Sequence, residues 1–253
     1  MTVIPVNSEA PLPRAVIFDM DNTLHDLRRA RMCAADALMA YCGIFGDLHF
    51  YSLNKNPPSL IEDAVSLYLA DGVEGEFHEC TWLYHTLELA CISPFEGVEE
   101  MLSELRSAGV RLAVISNADR PDMEKRMAVL GYAHYFELIV TPETFGVKKP
   151  DPLVYQKTLE ALDVLPEETV MIGDKKNRDV RPPRELGIKG VHAVFGSFDK
   201  RDTICAVDSP AEFLALLKKV RRSWIERRFS NHNISREPAD SLFLQPAKQE
   251  DRI

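Results

Sequence analysis

Five short, mostly apolar runs punctuate the chain at 15–18 (AVIF), 111–116 (RLAVIS), 137–141 (ELIVT), 169–173 (TVMIG) and 191–195 (VHAVF). They lack the alternation of a half-exposed strand, so each reads as a strand covered on both faces, as in a parallel sheet. Helical periodicity fills 97–109, 120–131, 151–163 and 180–186, with Gly closing several of these stretches. Strand and helix in alternation predict a doubly wound, mostly parallel α/β sheet. A last amphipathic helix is expected over 210–220.

Residues 27–92 break that rhythm. They hold helical candidates at 28–42, 58–70 and 76–91, a turn at "NKNPPS" and no convincing strand. The expected division is a discontinuous α/β core over 1–26 and 93–220, an inserted α-helical subdomain over 27–92, and an extension over 221–253. Within 218–229 six cations (Lys218, Lys219, Arg221, Arg222, Arg227, Arg228) surround one acid, Glu226. Such a run suits a solvated helix end, or an anchor for an acidic surface.

With 253 residues, 45% of them hydrophobic, the chain can build one large core or a core with a smaller insert. A net charge of -9 and a pI near 5.3 argue against nucleic acid as a partner. A small anion is still a feasible substrate, because it responds to local cations rather than to the global sign. Cys33, Cys42, Cys80, Cys91 and Cys205 are odd in number and lack a C-x-x-C pair, the usage of reduced thiols. No secretory pattern opens the sequence and no uncharged apolar run is long enough for a membrane helix, so a cytoplasmic location is expected.

In an open α/β sheet ligands sit beyond the carboxyl ends of the strands. Asp19 and Asp21 follow the first run, Ser116 and Asn117 end the second, and Asp174 ends a later one. A carboxylate can attack phosphorus and split a displacement into two easier steps. A second carboxylate can protonate the leaving oxygen and later take a proton from water. The Ser116 hydroxyl, backbone N–H groups and a lysine would neutralise the phosphoryl oxygens. Asp174 with Asp19 would make an oxygen-only cation site suited to Mg²⁺.

"DMDNT" at 19–23, "SN" at 116–117, "KKPDP" at 148–152 and "GDKKNRD" at 173–179 resemble, in order and context, the four signature motifs of the haloacid dehalogenase superfamily. The likeness spans roughly residues 14–210. It implies Asp19 as nucleophile and Asp21 as general acid and base, with the Asp21 backbone carbonyl on the metal. Ser116 and Asn117 would bind the transferring phosphoryl group, and Lys149 would neutralise charge on nucleophile and phosphate. Asp174 would be a direct Mg²⁺ ligand, Asp179 a supporting acid or further metal contact. The 27–92 insert then resembles the helical cap of the family's first cap class, closing over the site and selecting substrate. Two features depart from the common pattern. Asn22 replaces a Gly, which a left-handed turn tolerates, and Lys175-Lys176 follow Gly-Asp ahead of Pro182-Pro183.

The expected activity is that of a Mg²⁺-dependent phosphatase acting on a small phosphorylated metabolite, neither its substrate nor its oligomeric state being specified by these patterns. The alternatives are a phosphomutase or related phosphotransferase, and a non-catalytic protein that keeps the fold. A dehalogenase is disfavoured because Asp21 is present. Turn-forming or capping acids would explain Asp19 and Asp21 but not Ser116, Lys149 and Asp174 in register. An EF-hand fails at Leu24 and Ala30, where Gly and Glu are required. A receiver domain would place its acidic pair before the phosphorylated Asp and its lysine last. His25 reads as a hinge residue or a substrate contact. Arg28, Arg29 and Arg31 read as an anion guide or a solvated face. His78, Cys80 and His85 lack zinc spacing and read with Trp82 and Tyr84 as cap packing or cap surface.

Overall fold

A computed structural model describes residues 12–41, 74–202 and 204–219, apart from a few side chains. The element order is β1 (Ala15–Phe18), α1 (Leu27–Tyr41), α2 (Glu74–Ala90), α3 (Val98–Ser107), β2 (Arg111–Ile115), α4 (Arg120–Leu130), β3 (Leu138–Val140), α5 (Pro142–Phe145), α6 (Pro152–Ala161), β4 (Thr169–Gly173), α7 (Arg181–Glu185), β5 (Lys189–Ala193) and β6 (Ala206–Val207). A final helix occupies 210–219. The six strands form one all-parallel sheet ordered β3-β2-β1-β4-β5-β6. Successive strands proceed outward from β1 to one side and then from β4 to the other, so the order reverses between those neighbours, the point where such sheets bind ligands.

The apolar runs are unbroken because both faces of the sheet are covered. Val16 and Phe18 point, with Leu112, Val114, Val170 and Ile172, into a core closed by Val98, Leu102 and Leu105 of α3 and by Phe213 and Leu217 of the final helix. Ala15 and Ile17 point the other way, with Ala113, Ile115 and Met171, against Val154, Tyr155 and Leu159 of α6. Each large side chain taken out of water contributes on the order of 2 kcal/mol. Helix ends follow their local signals. Asp119 accepts from the Asp122 N–H at the start of α4, and Gly131 closes that helix at φ 71. Asp151 caps α6 ahead of Pro152.

The helices α1 and α2 pack on one another through a separate apolar cluster of Ala34, Ala35, Leu38, Cys80 and Tyr84. Trp82 lies on the outside, 67% exposed. The helical candidate at 58–70 and most of the basic stretch at 218–229 lie outside the described residues. Cys33, Cys91 and Cys205 are not joined in disulfides.

Two readings shift. The fifth strand runs over Lys189–Ala193 rather than 191–195, and residues 194–196 form a 3₁₀ turn. The strand pairs with β4 from Lys189 opposite Val170, and Gly190 is needed there because an added Cβ would fall 2.4 Å from the Val180 carbonyl oxygen. The turn after it lies against the loop following β1, where a Cβ on Gly196 would be 1.6 Å from the Asn22 carbonyl oxygen. The two-residue strand β6, at the sheet edge, is too short to give a periodic signal.

Candidate active site

Loops at the carboxyl ends of β1, β2 and β4 deliver the motif residues to one place. The Asp19 N–H donates to the Ile172 carbonyl at 2.9 Å, fixing the exit of β1 beside β4. Asn22 then turns the chain with φ 60, the left-handed geometry that asparagine accepts. Asp174 leaves β4 directly, and the Ser197 hydroxyl donates to its backbone carbonyl at 2.5 Å. A single π-helical turn at Lys176–Val180 carries Asp179 back under the strand end. Gly173 permits that return, since a Cβ there would stand 2.3 Å from Asp179 Cβ. The Tyr155 hydroxyl donates to the Arg178 carbonyl and holds the turn from below.

Lys149 is the cation of this group. Its ammonium donates to Asp19 Oδ1 at 2.5 Å and to Asp179 Oδ1 at 2.6 Å, with the whole side chain buried. The position of Lys149 is set through its backbone. The Lys149 N–H donates to Asn117 Oδ1 at 2.9 Å, and Asn117 Nδ2 donates to the Lys149 carbonyl at 2.8 Å. The Asn117 side chain therefore serves the lysine loop, leaving its main chain for the phosphate role expected of it. Ser116 is buried at the end of β2, where its Oγ accepts from the Ala118 N–H at 3.0 Å. Lys148, beside it in sequence, is exposed.

Three carboxylates, those of Asp19, Asp174 and Asp179, each bring an oxygen within 4.8 Å of the others. One lysine cannot balance them. Burial and the neighbouring carboxylates push Asp174 up to about 8. Burial and Asp179 outweigh Lys149 at Asp19 and push it up to about 6. The Lys149 ammonium is held above its usual range by the two acids it touches, against the cost of its burial. Both oxygens of Asp174 are buried without a hydrogen-bond partner, and the nearest cation, Lys175 Nζ, stands 3.6 Å from Oδ2. A buried carboxylate with no donor is what a hard divalent cation satisfies, so the residues present fit Mg²⁺.

Asp21 lies apart from this group although only Met20 separates it from Asp19. The chain leaves β1 at Phe18 and turns after Met20, whose carbonyl accepts from the Thr23 and Leu24 N–H groups, so the Asp21 carboxylate faces α4. Arg126 Nη1 lies 3.2 Å from its Oδ1 and 3.0 Å from its Oδ2, and His25 Nε2 lies 3.0 Å from Oδ1. The Arg126 guanidinium, with the hydrogen bond from His25, overcomes burial and holds Asp21 well below the usual carboxylate range. Of the metal set expected from sequence, the carboxylates of Asp19 and Asp174 meet, Asp179 joins them, and Asp21 can contribute only its main chain.

Sequence reasoning overlooked Arg126 and its second partner, Glu88 of α2, at 3.1 Å. A signal for Arg126 exists, a charged residue on the buried face of α4 between Met123 and Met127. Arg31 pairs with Glu88 at 3.2 Å, whereas Arg28 donates to the Gly196 carbonyl at 3.0 Å and stacks 3.5 Å above Phe198. His25 is fully buried against Asp21. His78 and His85 are exposed, and Cys80 and Tyr84 are buried between α1 and α2.

The profile of the family described as haloacid dehalogenase-like hydrolase matches residues 16–193. A phosphoglycolate phosphatase of Aquifex aeolicus is 30% identical over 185 residues, covering 72% of this chain and 85% of that protein. A glyceraldehyde 3-phosphate phosphatase of Methanothermobacter thermautotrophicus is 28% identical over 201 residues, covering 70% and 84%. Among solved structures, a Thermotoga maritima protein assigned as a β-phosphoglucomutase superposes with a TM-score of 0.70 at 24% identity, covering 82% of this chain and 99% of that one. A Bacillus subtilis protein assigned as a haloacid dehalogenase-type hydrolase, bound to magnesium, superposes with a TM-score of 0.66 at 18% identity, covering 81% and 98%. These two structures share the fold.

Proposed function

The chain belongs to the haloacid dehalogenase-like hydrolase family, and from that premise we propose that it is a Mg²⁺-dependent phosphatase that hydrolyses a small phosphate monoester through a phosphoryl group carried on Asp19. The observation that carries this reading is the buried group of Asp19, Asp174, Asp179 and Lys149, with Asp174 lacking any hydrogen-bond donor. Two relatives named as phosphatases, similar over most of their own length, point to the same chemistry.

Asp19 attacks phosphorus while Lys149, already on its Oδ1, holds the carboxylate oriented and limits the charge repulsion with the incoming phosphate. The Ser116 hydroxyl and the main chain at Asn117 bind the phosphoryl oxygens. Asp21, ionised beside Arg126 in the free protein, takes up a proton as the anionic phosphate enters and gives it to the leaving alcohol oxygen, and in the second half it takes one from the water that hydrolyses the aspartyl-phosphate. Asp19 and Asp174, with Asp179 and the Asp21 carbonyl beside them, would hold Mg²⁺, which supplies charge neutralisation on the phosphoryl oxygens. The segment 27–92, to which α1 and α2 belong, acts as the cap over this site and selects the substrate. Residues 1–26 and 93–220 supply the chemistry.

The test is a panel of sugar phosphates, phosphoglycolate, glyceraldehyde 3-phosphate and nucleotides, with and without Mg²⁺. Free phosphate from one of them, abolished by EDTA and by Asp19→Asn, is the expected outcome. An isomerised sugar phosphate in place of free phosphate would make the protein a mutase, and no turnover anywhere on the panel would overturn the enzymatic reading.

A further inference from the structure

The Asp21 carboxylate is one member of a buried chain of charges that crosses from the sheet to the inserted helices. Arg126 of α4 is 4% exposed, as is Glu88 of α2. One end of the Arg126 guanidinium spans both Asp21 oxygens at 3.2 and 3.0 Å, and the other reaches Glu88 Oε1 at 3.1 Å. Asp122, one turn back on α4, is more distant at 3.7 Å. The second Glu88 oxygen accepts from Arg31 Nε of α1 at 3.2 Å. His25 Nε2, at the junction between β1 and α1, completes the surroundings of Asp21 at 3.0 Å.

A guanidinium is planar and rigid, so its two ends cannot be moved independently. Any displacement of Glu88 with α1 and α2 therefore reorients the other end, on which the Asp21 carboxylate rests. A pair that served stability alone would need only Arg126 and Glu88. The third partner here is the side chain that must meet the leaving oxygen, where a misplacement of about 1 Å costs on the order of 10²-fold in rate.

We propose that Arg126 is the positioning residue for Asp21, and that Glu88 transmits the placement of α1 and α2 to it, so that the seating of substrate beneath these helices decides where the proton-transfer group stands. This inference rests on the phosphatase reading above. It concerns proton transfer alone and leaves attack by Asp19 untouched, which makes the two separable.

The experiment compares release of the leaving group in the first turnover from p-nitrophenyl phosphate, which needs little protonation, with release from an alkyl phosphate taken from the panel. Full-length protein with Mg²⁺ is used throughout. Arg126→Gln is expected to slow the alkyl ester about 10²-fold and the aryl ester less than about threefold. Arg126→Lys, which keeps the charge without the fork, should recover part of the difference. Glu88→Gln, of nearly the same shape, should move the alkyl-to-aryl ratio in the same direction by about tenfold. A ratio unchanged in the variants, with both esters slowed alike, makes Arg126 a structural residue and overturns the proposal. Should Arg126→Gln fail to fold, the ratio in Arg126→Lys and Glu88→Gln decides in the same way. Asp19→Asn is measured in parallel: if it retains turnover, the phosphatase mechanism fails rather than this inference.

Discussion

Two buried groups of charge begin two residues apart and are built on opposite principles. Around Asp19, three carboxylates share one lysine, and the oxygens of Asp174 have no donor. Around Asp21, two carboxylates face Arg126 and Arg31, with His25 alongside, and every acid is paired. The first group is left short of positive charge and raises the acids within it. The second is compensated and depresses Asp21. A deficit of positive charge makes a place for a cation and for a phosphate that brings one, whereas a balanced network fixes the direction of a single side chain. The difference separates a centre that binds from one that orients.

The largest expected effect breaks the first group at its nucleophile. Asp19→Asn should lower turnover on the order of 10⁶-fold and abolish the phosphoenzyme, which rapid quench with radiolabelled substrate detects. Turnover within tenfold of the parent would remove Asp19 from that role. Asp21→Asn should be unequal to it. Hydrolysis of alkyl phosphates falls by about 10²- to 10⁴-fold, yet phosphoenzyme still forms from p-nitrophenyl phosphate. Equal loss of phosphoenzyme in the two variants would collapse the distinction between attack and proton transfer.

The stabilities should move in opposite directions when each group loses a member. Arg126→Met leaves Glu88 with Arg31 alone and the partly exposed Asp21 with His25 alone, and should cost about 1–3 kcal/mol in urea unfolding. Asp174→Asn removes an acid that the metal-free fold must keep protonated at neutral pH, so the metal-free protein should gain roughly 2–4 °C in Tm. That variant should also lose the upward Tm shift that Mg²⁺ produces in the parent. A metal-free Asp174→Asn protein less stable than the parent would contradict the deficit.

The remaining comparison is the pH dependence. Asp174, raised to about 8, and Asp19, raised to about 6, keep protons in the folded chain that the unfolded chain has already released. An acid raised in this way leaves stability highest at low pH and lowers it as pH climbs from about 4 through the folded value. Metal-free protein should therefore be more stable at pH 5 than at pH 8, and Mg²⁺ should flatten that slope. Equal unfolding midpoints at the two values without metal would count against the raised acids.

Much of this was legible in the sequence because it depends on local pattern. The runs at 15–18 and 169–173 are strands to the residue, since burial on both faces leaves an unbroken apolar signature. The four polar clusters that end or follow strands converge because a parallel sheet puts all its carboxyl ends on one edge. The run at 191–195 misled because Gly190 and Lys189 carry no apolar signature, although both pair with β4. Asn117 is expected from sequence at the phosphate, whereas its side chain serves the backbone of Lys149, a contact across 32 residues that no spacing rule foresees.

The sequence by itself determined the parallel α/β architecture, the motif order and which residues are candidates for the site, because periodicity and residue chemistry are properties of short segments. Only the tertiary structure decided how charge is shared among them. Asp19 and Asp21 are the same residue type on the same loop, and their opposite environments arise from partners at positions 88, 126, 149, 174 and 179. Electrostatic interaction depends on distance and burial, which are set only when remote segments of the chain come together.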